Sequence, residues 1–144
     1  MFAAFRRKGL IADIDAKIKE ERTFPFTLSV VFYILGLLIL IYYRINIISI
    51  AFWFCYISNT LLVVIINKSW KISAHMMGVS GPFAALVYVF GLTALPFLVL
   101  LILIGWSRIK LECHNLSQVL AGAFLAFIST YIQMYFIIKY FGYA

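Results

Sequence analysis

Apolar residues fill this chain in long blocks separated by short polar breaks. The blocks run from about Phe24 to Tyr43, Ile47 to Ile66, Ser73 to Phe90, Pro96 to Trp106 and Asn115 to Tyr140. A helix needs about 20 apolar residues to cross the hydrocarbon core of a bilayer. Four blocks approach or exceed that length, and the fourth is short, extending at most through Arg108. The pattern predicts an all-α, polytopic membrane helical bundle of about five transmembrane helices. Pro25 suits the first turn of its helix. Gly78, Gly81 and Pro82 predict close packing or a kink in the third block. Tyr42, Tyr43, Trp70 and Trp106 stand where an aromatic belt belongs. Before the first block, Phe2, Phe5, Leu10, Ile11, Ile14 and Ile18 recur near helical spacing among Arg6, Arg7, Lys8, Lys17 and Lys19. That pattern predicts an N-terminal interfacial helix, clearest over residues 9–22. Two units result: an amphipathic interfacial segment at 1–23 and a transmembrane bundle at 24–144.

Composition fits this picture. Of the 144 residues, 65% are hydrophobic and 12% charged, too few to clothe a soluble domain. Five spans nearly exhaust the chain and leave no room for a soluble catalytic domain. The net charge of +7 does not predict a nucleic-acid partner, because the aromatics lie inside the apolar blocks and the cations flank them. With five spans, ten cations share one face with the N-terminus, and only Arg44 and Lys139 lie on the other. The positive-inside rule places the ten-cation face in the cytoplasm of a multi-pass cell-membrane protein. Cys55 and Cys113 fall at different depths, so no disulfide is expected, and no metal or cofactor is expected either.

The polar chemistry gathers on the cationic face. His75 and His114 each begin a block, with Lys71 four residues before one and Arg108 six before the other. Ionisable groups at a membrane edge are candidates for function. Guanidinium and ammonium groups bind phosphoryl oxygens. One imidazole can attack phosphorus and another can protonate the leaving oxygen. Two helix starts add N–H groups that suit an anion.

The run "SRIKLECHNLSQ" then gains meaning. Ser107-Arg108, five residues, His114, three residues, Gln118 resembles the third signature of the phosphatidic acid phosphatase type 2 superfamily. These are helical membrane phosphatases of lipid phosphates and prenyl diphosphates. Ile72-Ser73-Ala74-His75 is similar to their second signature, Pro-Ser-Gly-His at a helix start. Their first signature, a Lys followed six residues later by Arg-Pro, is not present as such; Lys68 and Lys71 are the cations near its place. The likeness covers about residues 47–140 and looks like a divergent, small Lys-Ile-Ser-x-His branch.

The resemblance implies a metal-independent phosphohistidine mechanism on a lipid phosphate or prenyl diphosphate substrate at the membrane interface. It makes His114 the nucleophile and His75 the general acid. Arg108, Lys71 and Lys68 would hold phosphate oxygens, with hydrogen bonds from Ser73 and the N–H of Ala74. Gln118 stands where the family has an Asp. Its amide oxygen can accept from the imidazole and fix the tautomer, but cannot stabilise an imidazolium as a carboxylate does. Glu112 is the nearby carboxylate. The alternative is a catalytically impaired membrane protein of the same fold that binds lipid phosphate or a partner subunit.

Overall fold

The computed structural model describes residues 23–142; the interfacial helix expected before them lies outside the described residues. The described residues are helical, with α1 (Thr23–Tyr42), α2 (Ile47–Asn67), α3 (Ala74–Phe90), a 3-10 segment (Gly91–Phe97), α4 (Leu98–Lys110) and α5 (Leu116–Phe141). Four stretches are long and apolar enough to cross a membrane: Phe24–Tyr42, Ile47–Asn67, Ala74–Lys110 and Leu116–Phe141. This differs from five separate spans. The expected third and fourth fall in one apolar stretch of 37 residues, with the 3-10 segment inside it.

That stretch doubles back on itself. A straight helix would carry Gly105 about 44 Å from Met76, at about 1.5 Å per residue. Instead, a Cβ placed on Gly105 would lie 3.5 Å from Met76 Sδ. The reversal falls at "GLTALP". Gly91 caps α3 at φ +61, where a side chain would be strained. Pro96 has no N–H to extend a helical ladder.

The contacts fix directions. Along α3 and α5 they advance together: Ser73 meets Gln118, Gly81 meets Thr130, and Ala85 clusters with Met134. The two helices are therefore parallel and start at the same end of the bundle. On α2 the order is opposite, with Val63 beside Ala126 and Ala51 beside Met134, so α2 is antiparallel to α5. The α3–α5 pair is the most extensive helix contact.

Small residues permit this packing. Ala51, Ala84 and Ala126 have no exposed surface, as expected where helix backbones approach closely in lipid. Gly36 on α1 gives way to Trp53 on α2: a Cβ there would lie 2.6 Å from the indole, whose Nε1–H donates to the Tyr33 carbonyl at 2.8 Å. Asn59 donates between helices, from Nδ2 to Thr130 Oγ1 at 2.8 Å. Ser80 Oγ donates to the Ala123 carbonyl at 2.6 Å. Leu35, Ile39, Phe124 and Ile128 point outward and exposed, which suits lipid contact.

Candidate active site

The spacing from Arg108 to His114 has a local structural cause. At the end of α4 the Glu112 N–H donates to the Ile109 carbonyl at 2.9 Å and the Cys113 N–H to the Arg108 carbonyl at 3.1 Å. This pair of bonds is the Schellman reversal, which satisfies the last carbonyls of a helix. Glu112 takes the left-handed position at φ +54, a place that favours glycine. The His114 N–H shares the Arg108 carbonyl at 3.3 Å. Asn115 then caps α5. Its Oδ1 accepts from the Gln118 N–H at 3.0 Å, and Gln118 Oε1 accepts from the Asn115 N–H at 3.3 Å. This is a capping box.

The same Gln118 oxygen lies 3.1 Å from His114 Nδ1. A backbone N–H only donates, so the atom that meets Asn115 must be the amide oxygen. His114 Nδ1 therefore carries a hydrogen, and in the neutral imidazole Nε2 keeps the lone pair. His114 is buried, with 6% of its surface exposed. Arg108 is half-buried, and its Nε and Nη2 donate to Ser107 Oγ at 3.4 and 3.2 Å. The Cys113 thiol is buried and turns to the Leu111 carbonyl at 3.6 Å. Glu112 is exposed on the turn.

The second half comes from the loop between α2 and α3. Ser73 caps α3, with Oγ accepting from the Met76 N–H at 3.4 Å. Its own N–H donates to the Gln118 carbonyl at 3.3 Å. A Cβ on Gly122 would lie 2.8 Å from the Ser73 carbonyl oxygen. Glycine at 122 thus allows the loop backbone to rest directly on α5. These contacts join the two halves, backbone to backbone.

Arg108, His114, Gln118 and Ser73 are linked in one hydrogen-bonded run. Ala74 is half-buried at the first position of α3, where its N–H has no acceptor within the helix. His75 is exposed on the first turn of α3, beside it. Lys71 is half-buried in the loop and Lys68 is exposed at its start. Ser73 has no exposed surface, and its hydroxyl serves the cap of α3. Among the described residues, no group of three or more His, Cys, Asp or Glu could hold a metal ion.

Three residues beyond the sequence-predicted set shape this end. Asn115 carries the capping box, a pattern visible as Asn-x-x-Gln. Gly122 sets the approach of the loop. Asn67 ends α2 with 4% of its surface exposed and neither amide atom paired among the described residues. In comparison with known proteins, the chain matches no protein-family model, no curated protein and no solved structure.

Proposed function

We propose that this chain is an integral membrane phosphatase of a lipid phosphate or prenyl diphosphate, acting through a phosphohistidine. The observation that carries the reading is the Gln118 oxygen held between the Asn115 N–H and His114 Nδ1. It leaves His114 Nε2 with the lone pair a nucleophile needs. Nε2 attacks phosphorus, the bond to the leaving oxygen breaks, and His75 gives that oxygen a proton. Water then attacks the phosphohistidine, with His75 taking the proton, and releases phosphate and His114. Arg108, Lys71 and Lys68 offset the phosphoryl charge, and the Ala74 N–H adds a hydrogen bond. The resemblance of Ser107–Gln118 and Ile72–His75 to the phosphatidic acid phosphatase type 2 signatures supports the same chemistry, which needs no metal.

In this reading the doubled stretch Ala74–Lys110 crosses the bilayer twice, making five crossings. The N-terminus and the site face the cytoplasm. Substrate tails stay at membrane depth between spans while the headgroup meets the cationic face.

A second reading is a non-catalytic binder of lipid phosphate or of a partner subunit on the same frame. It is favoured by the work Gln118 does in capping α5 and by the full enclosure of Ser73. The test is phosphate release from a panel of lipid phosphates by the detergent-purified protein without added metal. Turnover that falls at least about a hundredfold in both His114→Ala and Arg108→Ala supports the phosphatase. No turnover on any substrate, with headgroup binding that survives His114→Ala, selects the binder.

A further inference from the structure

Beneath the site, a cavity of about 310 Å³ opens between α1, α2 and α3. That volume lies at the lower end of ligand pockets, which span about 300–1,000 Å³. Its walls are mostly apolar, with Tyr33, Phe52, Tyr56 and Met77 among them. Ala74, one residue before His75, lies on its wall at the site end. Pro82 lies on the same wall two turns deeper, about 12 Å along the helix. Gly78 lines it between them, and a Cβ there would meet nothing within 4 Å. The α3 wall is therefore open for a chain to lie against.

The α2 wall carries a polar signal. Cys55, Asn59 and Val63 line the cavity at intervals of four residues, one face of a helix. Asn67 continues that ridge one turn nearer the site, just beyond the residues that line the cavity. It is buried, yet both its amide atoms lack a hydrogen-bond partner among the described residues. Asn59 Oδ1 on the same ridge is buried and unpaired as well. Orphaned amides away from water are costly and call for a partner.

We propose that the cavity holds one acyl chain of a glycerolipid phosphate, and that Asn67 pairs with the ester or hydroxyl oxygen just beneath the phosphate. A polyprenyl chain carries no oxygen below its phosphate, so the same amide would disfavour it. The proposal rests on the phosphatase reading only for the position of the phosphate.

The test uses the full chain in detergent with a phosphatidate probe that carries a diazirine in its acyl chain. Photolysis should attach the probe to the segments 26–33, 52–63 and 77–82. Gly78→Leu, which fills the open wall, should remove those adducts while the thermal midpoint holds. Asn67→Leu should weaken phosphatidate competition about tenfold, the worth of one hydrogen bond to a buried group, and leave polyprenyl phosphate competition unchanged. Adducts confined to the lipid-facing surface around Leu35 and Phe124 would overturn the proposal. So would a polyprenyl phosphate that displaces the probe as well as phosphatidate does. The wild-type adduct map decides the matter even if Gly78→Leu fails to fold. Phosphate release in the same samples separates the two ideas. A labelled cavity without release removes the phosphatase and keeps the cavity assignment; release without a labelled cavity does the reverse.

Discussion

Gln118 meets two donors with one oxygen, the Asn115 N–H at 3.3 Å and His114 Nδ1 at 3.1 Å. A glutamate of the same length keeps both contacts and adds a charge. That charge stabilises the phosphorylated imidazolium that forms as His114 Nε2 bonds to phosphorus, and it suits the first turn of α5. Gln118→Glu is therefore expected to raise phosphate release by about tenfold or more, while Gln118→Leu lowers it at least about a hundredfold. A Gln118→Glu protein that binds lipid but turns over no faster than Gln118→Leu would count against His114 as the nucleophile. The four-residue interval between His114 and Gln118 was legible in the sequence, but its cause was not. His114 precedes α5, so the contact arises from the geometry of the Asn115 cap rather than from one face of a helix. Asn67 gave no sequence signal as a candidate. An asparagine at the edge of an apolar block reads as interfacial, and only the approach of other elements encloses its amide.

The parallel contact of α3 and α5 depends on backbone lying against backbone at Ser73 and Gly122. A methyl group at 122 would press on the Ser73 carbonyl oxygen, which has no flexible end to swing away. Gly122→Ala is expected to cost about 1–3 kcal/mol in stability and to part the two halves of the site. The checks are a thermal unfolding curve and phosphate release with all proposed site residues intact. Unchanged values in both would show that the loop does not need the close approach. The helical class and the ends of most blocks were legible from hydropathy, because lipid leaves few alternatives to a helix. The polar runs mark the ends of α1, α2 and α4 well. The return after α3 falls at the break expected between Phe90 and Pro96, although "GLTALP" is itself apolar and hydropathy alone runs the two legs into one 37-residue stretch. What bends it is the positive φ of Gly91 and the missing N–H of Pro96, which a hydropathy average does not register.

At the scale of the molecule, the proposed five crossings would bring ten of the twelve cations to one face, and that sets the expected orientation. Both native cysteines are buried, so single cysteines introduced in a chain with Cys55 and Cys113 replaced by alanine report cleanly. Lys68→Cys is expected to react with a membrane-impermeant thiol reagent only from the cytoplasmic side, and Lys139→Cys only from the other. The reverse pattern would mean that the site draws on lipid in the outer leaflet. The pairing of α3 with α5 also sets an order of assembly. Parallel neighbours cannot meet until the chain between them has returned, and Ser80 waits for Ala123, 43 positions later. At about 5–20 residues per second that wait is roughly two to nine seconds of synthesis. During it, the Ser80 hydroxyl and the Asn59 amide lack the α5 partners Ala123 and Thr130. A chain cut short before Leu116 never gains them. It keeps those polar groups unburied in the bilayer, a mark by which quality-control proteases can tell it from the finished bundle.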